Sequence, residues 1–193
     1  PSPVVDLHFV APGLAVGGHF PMEAVAALAV EHGIARVVDV RVEACDDEAI
    51  LRTHGIRLLH LPTEDTCAIV QERIRDGVAF VNEGLDRGEP VLVHCQHGIG
   101  RSALLAVCVL ISRGEPPLAA LERAKRARPV VSPSPDQLRA IAAFAADVKA
   151  ERGAPWEVPT MRQLGLIAWR HLFHEEDAAV TDEAARAAST HSH

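Results

Sequence analysis

The sequence predicts a single α/β domain built on a central, mostly parallel sheet of about five strands that is flanked by helices. Three observations lead to this prediction. Short β-branched segments alternate along the chain with stretches whose apolar residues recur at helical spacing. Gly or Pro stands at most of the boundaries between these segments. Such alternation is typical of parallel strands joined by crossover helices that cover both faces of a sheet.

The first half of the chain contributes four of the expected strands. Pro12-Gly13 separates the first two, and a helix begins after Pro21 and ends at Gly33. A β-branched run then predicts a buried strand, and a short helix that stops at Gly55 precedes the fourth strand. The expected strands cover residues 4–10, 14–16, 34–40 and 56–61, and the expected helices cover 22–31 and 46–54.

The second half contributes one strand and most of the helices. Apolar residues at helical spacing predict a long helix from Ile69 to Leu85, and the turn Gly88-Glu89-Pro90 follows it. Residues 91–93 form a short apolar strand. Three further helices complete the domain, which we expect to span residues 1–153. These helices cover residues 103–112, 117–126 and 135–149.

Beyond Gly153 the pattern changes. Residues 161–173 predict an amphipathic helix, and the acidic, Ala-rich stretch from His174 predicts a flexible tail. We therefore treat residues 154–193 as a C-terminal helical extension. The first interpretation is that it packs on the parent domain, and the alternative is a surface for self-association. The residues expected on one face of its helix are Met161, Leu164, Ala168 and Leu172.

The composition limits the partners and the compartment. The 193 residues are 48% hydrophobic and 23% charged, and their formal net charge of −7 disfavours non-specific binding to nucleic acid or to an anionic membrane. The four cysteines form no Cys-x-x-Cys pair, which argues against a structural zinc site or a disulfide framework. Because no basic segment followed by a long apolar run stands near the N-terminus, we expect no signal peptide and a cytoplasmic protein with reduced thiols.

The most informative segment is VLVHCQHGIGRSALLAV, in which Cys95 follows a strand and Arg101 begins a helix. Gly98 and Gly100 allow the backbone between them to curl until several N–H groups point to one centre, which makes an anion-binding nest. The positive end of the helix dipole points to the same centre, and Arg101 can hold two oxygens of a bound phosphate. Because this environment also stabilises a thiolate, we expect a lowered pKa for Cys95.

The residues around this cysteine are expected to support its chemistry. Ser102 is placed to donate a hydrogen bond to the sulfur, which would help the thiolate to leave when a phosphocysteine is hydrolysed, and His94 is placed to buttress the loop. The loop N–H groups would hold the equatorial phosphate oxygens in the transition state. We therefore expect the residues of the loop to bind substrate: Gln96, His97, Gly98, Ile99, Gly100 and Arg101.

This segment resembles the signature of the protein tyrosine phosphatase superfamily, His-Cys-x5-Arg-Ser/Thr. The resemblance extends over about residues 14–144, and the compact layout is similar to the dual-specificity phosphatases and to small bacterial or archaeal relatives. It implies the cysteine-phosphatase fold and the hydrolysis of a phosphomonoester through a phosphocysteine, with no cofactor and no metal. The residues that match the signature are His94, Cys95, Gly98, Arg101 and Ser102.

The resemblance also implies an Asp, in a loop before the signature, that acts first as general acid and then as general base. The segment HLPTEDTCAI offers two carboxylates, of which we choose Asp65, with Glu64 as the alternative. A bound phosphate dianion would raise the pKa of this acid and keep it protonated. Gln137 lies where related enzymes sometimes position a water, so we predict a supporting role for it, against the alternative of an ordinary exposed Gln.

Phosphotyrosine or phosphoserine/threonine in a protein or peptide is the first choice of substrate. Lipid-directed members carry lysines in the signature loop, whereas positions 96, 97 and 99 here are Gln, His and Ile. Phosphoinositides and other small phosphoesters are the alternative. Two further hypotheses are a rhodanese-type sulfurtransferase and a phosphoprotein-binding module with weak activity. The Arg101-Ser102 pair and the Asp65 loop favour the phosphatase.

Overall fold

The computed structural model describes residues 3–173, and the predicted flexible tail from His174 onward lies outside the described residues. Five strands form one sheet: β1 (Leu7–Ala11), β2 (Leu14–Gly17), β3 (Arg36–Arg41), β4 (Arg57–Thr63) and β5 (Val91–His94). Their order across the sheet is β1-β2-β5-β3-β4. The edge pair β1–β2 is antiparallel and the other pairs are parallel. The predicted α/β class with a mostly parallel five-stranded sheet is therefore confirmed.

Seven complete α-helices lie within residues 3–173 and cover the two faces of this sheet, and residues 170–173 are also helical. Those of the first half are α1 (Val25–Val30) and α2 (Glu48–Thr53). Those of the second half are α3 (Gln71–Asp86), α4 (Arg101–Ser112), α5 (Pro117–Ala127), α6 (Pro135–Arg152) and α7 (Met161–Ala168). No helix in this described part of the chain is long and apolar enough to cross a bilayer.

Three of the predicted helices differ from expectation: those over 22–31 and 161–173 are irregular, and that over 46–54 covers only Glu48–Thr53. In the first, Met22–Ala24 forms a 3₁₀ turn closed by a bond from the Ala24 N–H to the Pro21 carbonyl, and the α-helix covers only Val25–Val30. The helix predicted over 161–173 is interrupted at Trp169, which leaves helical geometry with φ of −114°, and residues 170–173 are helical again. Leu172 lies beyond this interruption, and its side chain is 50% exposed.

Two apolar clusters form the core, one on each face of the sheet. Alternate residues of the central strands point to opposite faces: Val38 and Val93 join the larger cluster, whereas Val37 and Leu92 join the smaller cluster beneath α1 and α2. All residues of α4 are buried, and those from Ala103 to Ile111 belong to the larger cluster. Because each fully buried Leu or Val side chain contributes about 1.5–3 kcal/mol, packing fixes the position of this helix and of its N-terminus.

The C-terminal extension packs on the parent domain as far as the structure describes it. Helix α7 lies against α5 and α6, and its Leu164 and Ala168 side chains are fully buried. The extension begins after Gly153, which ends α6 in the left-handed conformation with φ of 63°.

The parallel strands end at one edge of the sheet, and the segments that follow them meet there. The residue after β5 is Cys95, and Glu43 and Asp65 lie in the loops that follow β3 and β4. Carboxyl ends of parallel strands are a common place for binding sites in open α/β sheets.

Candidate active site

The loop between β5 and α4 wraps around the sulfur of Cys95. The Gly98 N–H donates to Sγ at 3.3 Å, and the Ser102 hydroxyl lies 3.2 Å from Sγ. Gly98 has φ of 66°, and a Cβ at this position would lie 2.6 Å from the backbone of Gly17. A glycine is therefore required here both for the turn and for the close approach of the loop to β2.

Opposing effects act on the pKa of the Cys95 thiol. Burial would raise it, since Cys95 is only 3% exposed. The hydrogen bond from the Ser102 hydroxyl, those from the Ser102 and Gly98 N–H groups, and the charge of Arg101 favour the thiolate. Together they outweigh burial and hold the pKa of Cys95 below its usual value. Such a sulfur is an activated nucleophile.

The guanidinium of Arg101 is fixed on two sides. Glu43 accepts from Nη1 at 2.6 Å through Oε1 and from Nη2 at 2.9 Å through Oε2, and the Thr63 carbonyl accepts from Nη1 at 2.9 Å. Of the five N–H donors of an arginine, these bonds use three. The remaining two lie on the edge formed by Nε and Nη2, and the buried Nε has no hydrogen-bond partner among the described residues. This edge can donate hydrogen bonds to two oxygens of one phosphate group.

A buried polar network supports the loop from beneath. His94 is fully buried; its Nε2 lies 2.5 Å from Asp46 Oδ2 and its Nδ1 lies 3.3 Å from the Cys95 carbonyl. Arg41 donates to both Asp39 and Asp46. The side chains of Asp39, Asp46 and His94 are close enough together to hold a metal ion. However, the arginine already occupies both carboxylates, so we interpret the group as a hydrogen-bond network.

Arg128 holds the outer side of the same loop. Its Nε donates to the Gly98 carbonyl and its Nη2 to the His97 carbonyl, both at 2.9 Å. Its two terminal nitrogens also donate to Asp6 at 2.7 and 2.8 Å, and Nη1 contacts His8 Nδ1 at 2.9 Å. Because the loop carbonyls are bound on the outside, the loop N–H groups can face inward.

The carboxylate of Asp65 reaches the site from the loop after β4. Its Oδ1 lies 3.6 Å from Arg101 Nε, and its side chain is 68% exposed. Asp65 lines the same cavity as Cys95, whereas Glu64 lines a different depression near Arg73. The geometry therefore favours Asp65 over Glu64 as the acid.

A cavity of about 150 Å³ opens above the sulfur. Two of the predicted substrate-binding side chains, those of His97 and Ile99, line the cavity. The Gln96 side chain does not, because it contacts Arg41 and His19 instead. The other residues that line the cavity are Cys95, Gly100, Arg101, Asp65, Thr66, Ser132, Ser134 and Gln137.

Gln137 is buried rather than an ordinary exposed Gln, since only 1% of it is exposed. Its Oε1 accepts from the Ser134 N–H at 2.9 Å and its Nε2 donates to the Cys67 carbonyl at 3.1 Å. Its amide therefore caps α6 and holds the loop that carries Asp65. Its predicted role in positioning a water stays a prediction.

Glu43 and Arg128 are not among the residues that the sequence predicts. The position of Glu43 could have been predicted: β3 is parallel to β5, so an acid just after β3 must lie beside the loop that follows β5. The role of Arg128 could not have been predicted from local spacing, because Arg128 follows α5 and its bond to Asp6 joins residues at opposite ends of the domain.

The catalytic-domain model of the dual specificity phosphatase family matches residues 20–147 of this chain. That range contains the whole loop from Cys95 to Arg101, the Asp65 loop and Glu43, but not α7.

Viral dual specificity protein phosphatases are similar in sequence over part of the chain. The vaccinia virus protein OPG106 is 33% identical over 76 residues, which are 39% of this chain and 44% of the viral protein. Its monkeypox virus counterpart is 33% identical over 70 residues, which are 36% of this chain and 41% of that protein. The chain thus aligns with less than half of each of these relatives.

Solved phosphatase structures share the fold over most of the chain. Human DUSP28 is 25% identical with a TM-score of 0.68, and the match covers 75% of this chain and 99% of DUSP28. PTPMT1, solved in complex with PI(5)P, is 22% identical with a TM-score of 0.71, covering 75% of this chain and 97% of PTPMT1. The second likeness concerns the fold alone.

Proposed function

Because this chain belongs to the dual specificity phosphatase family, we propose that it removes phosphate from phosphotyrosine, and from phosphoserine or phosphothreonine, in proteins or peptides. One observation carries the proposal. The sulfur of Cys95 lies within hydrogen-bond distance of the Gly98 N–H and the Ser102 hydroxyl, beside the fixed guanidinium of Arg101. This arrangement supplies a nucleophile and an anion site at the same point.

The first step forms a bond between sulfur and phosphorus. The Cys95 thiolate attacks the phosphorus atom, the bond from phosphorus to the ester oxygen breaks, and Asp65 gives its proton to the departing oxygen. The Nε–Nη2 edge of Arg101 and the N–H groups of the loop hold the equatorial oxygens as charge moves to them.

The second step hydrolyses the phosphocysteine. A water attacks phosphorus and gives a proton to Asp65, while the sulfur leaves as a thiolate and inorganic phosphate is released. The Ser102 hydroxyl, 3.2 Å from the sulfur, donates to the departing thiolate and stabilises it.

The residues around the cavity support a phosphoprotein over a polyphosphorylated lipid. Among the described residues that line it, Arg101 is the one permanently charged cation, and the Glu43 carboxylate already neutralises it. Asp65 adds a further carboxylate at the rim. A substrate with several phosphates would therefore find one phosphate site and no further basic partner.

The test compares wild-type protein with Cys95→Ser on 4-methylumbelliferyl phosphate, a panel of phosphopeptides and a panel of phosphoinositides. We expect turnover of the aryl ester and of phosphopeptides, inhibition by vanadate, and no turnover by Cys95→Ser. Thiosulfate turnover without aryl phosphatase activity would instead favour a sulfurtransferase. A catalytic efficiency on phosphoinositides above that on every phosphopeptide would reject the proposed substrate class.

A further inference from the structure

The loop that carries Asp65 is docked on the first turn of α6. The Ser134 hydroxyl donates to the Thr66 carbonyl at 2.6 Å. The Ala68 N–H donates to Asp136 at 2.8 Å, and Gln137 donates to the Cys67 carbonyl. The position of the general acid therefore depends on where residues 134–137 lie.

The backbone next to the acid is strained. Thr66 has φ of 63°, a left-handed conformation that no other non-glycine residue adopts within residues 3–173. Such a conformation costs a β-branched residue roughly 1–3 kcal/mol. The Thr66 N–H donates to Asp65 Oδ1 at 2.9 Å, and its carbonyl accepts from Ser134. Loss of the bond to Ser134 would favour relaxation of the loop away from this conformation.

Trp169 holds the segment that precedes this turn of α6. Its indole Nε1 donates to the carbonyl of the buried Pro133 at 2.9 Å. A Cβ at Gly165 would lie 2.9 Å from the indole ring, so this buried glycine makes room for the side chain. Helix α7 ends at Ala168, one residue before the indole. The C-terminal extension thus packs closely around the indole of Trp169.

The loop from Cys95 to Arg101, which we call the phosphate loop, is also held by hydrogen bonds that do not involve Trp169. Segment 132–134 does contact it, through a bond from the Ser132 N–H to the Ile99 carbonyl at 2.9 Å. However, Arg128 binds the His97 and Gly98 carbonyls independently. A change at Trp169 should therefore disturb the acid loop more than the phosphate site.

We propose that Trp169 is a positioning residue for the general acid: through the Pro133 carbonyl it fixes segment 132–134, which in turn holds Asp65 over the cavity. This inference rests on the proposed function. Trp169 lies outside residues 20–147, which match the family. The extension therefore takes part in the reaction without touching the substrate.

The test uses the full chain and the variants Trp169→Phe and Ser134→Ala, with Trp156→Phe as control. Trp156 is in the same extension and packs against the core, but its indole donates to no described residue. Loss of one neutral hydrogen bond corresponds to a change of roughly three- to tenfold. On phenyl phosphate, a poor leaving group, we expect Trp169→Phe to lower kcat by that factor. Ser134→Ala should lower it by at least as much, because it also removes the hydroxyl that accepts from the Gln137 N–H. On 2,4-dinitrophenyl phosphate, which has a good leaving group, kcat of Trp169→Phe should change less than twofold, and the vanadate affinity of this variant should not change.

A double variant gives the decisive result. If Trp169 acts through the acid, Trp169→Phe should have no further effect on kcat in an Asp65→Ala background, because the group that it positions is absent. Equal losses on both esters, or the same loss with and without Asp65, would overturn the inference. So would a Trp156→Phe variant with the same leaving-group dependence as Trp169→Phe. Absence of any Cys95-dependent turnover in wild-type protein would instead reject the proposed function itself.

Discussion

Glu43 and Arg101 form a two-point ion pair in which both carboxylate oxygens accept from the two terminal nitrogens of the guanidinium, at 2.6 and 2.9 Å. The pair sets the plane of the arginine, since a bidentate contact allows little rotation. It leaves the Nε–Nη2 edge without a hydrogen bond at Nε, with the Asp65 carboxylate 3.6 Å from that atom. The arginine that the signature supplies is therefore aimed by a residue that lies outside the signature.

Glu43→Gln tests whether Glu43 orients the guanidinium of Arg101. The amide can accept from only one of the two nitrogens and carries no charge, so the guanidinium should lose its fixed plane. A hydrogen bond to a charged group is worth about 1.5–3 kcal/mol, and we expect kcat/KM on an aryl phosphate to fall roughly ten- to a hundredfold. Glu48→Gln is the control, because its pair with Arg52 is exposed and should change kcat/KM less than twofold. Wild-type kcat/KM and vanadate affinity in Glu43→Gln would contradict the aiming role.

The pH dependence of the same pair follows from its pKa. The hydrogen bond from Arg101 lowers the pKa of Glu43 to about 2. The folded value lies below the ordinary value of 4.5, so the stabilisation is complete above that ordinary value and is lost as the pH falls through about 2. Between pH 5 and 8 we expect the wild-type profile of kcat/KM to show no titration from Glu43.

The thiolate character of Cys95 can be measured by alkylation. Iodoacetamide labelling, followed by peptide mass spectrometry across pH, should give Cys95 a midpoint below the ordinary thiol value of about 8.5. Cys45 is the internal reference, because partial burial and the neighbouring carboxylates raise the pKa of its thiol. Ser102→Ala should move the Cys95 midpoint upward, since it removes the largest stabilising hydrogen bond. A Cys95 midpoint equal to that of Cys45 would remove the basis of the mechanism.

The acid is identified by its response to the leaving group. Asp65→Ala should lower kcat on phenyl phosphate by about 10²–10³-fold, because a poor leaving group needs a proton, and should change kcat on 2,4-dinitrophenyl phosphate much less. Glu64→Ala is the matched control and should resemble wild type, since its carboxylate faces a different depression. If Glu64→Ala instead showed the steep dependence, the roles of the two neighbours would be exchanged.

The parts of the fold and site that sequence patterns predicted are those that rest on local rules. The sheet class followed from alternating segments, and the loop from Cys95 to Arg101 followed from its glycines and the strand and helix around it. Element ends were less accurate where tertiary contacts decide them. The predicted helix over 161–173 is interrupted at Trp169, whose indole donates to the carbonyl of Pro133, a residue 36 positions away.

The missing parts of the site are those that join distant segments. Asp6 and Arg128 are 122 positions apart, and no local spacing relates them. The Thr66 conformation is likewise set by Ser134, 68 positions later. Such contacts depend on how the helices pack on the sheet, which periodicity does not specify.

The last prediction concerns the outer anchor of the phosphate loop. In Arg128→Lys, one ammonium group cannot bind the His97 and Gly98 carbonyls and both oxygens of Asp6 at once, whereas the planar guanidinium does. Without these bonds to the His97 and Gly98 carbonyls, the loop backbone can rotate, and its N–H groups should no longer all point to the phosphate position. We expect vanadate to bind about tenfold more weakly and kcat to fall on good and poor leaving groups alike, unlike the pattern of Asp65→Ala.

Arg126→Lys is the control for this change, since Arg126 is exposed and pairs with Glu122 within the same helix. Thermal unfolding should show a lower Tm for Arg128→Lys and an unchanged one for Arg126→Lys, because each kcal/mol corresponds to roughly 2–4 °C in a chain of this size. Vanadate affinity separates a loss of loop geometry from a loss of stability when both are measured well below Tm. Unchanged vanadate affinity in Arg128→Lys would mean that the loop keeps its shape through Gly98 and the packing of α4 alone.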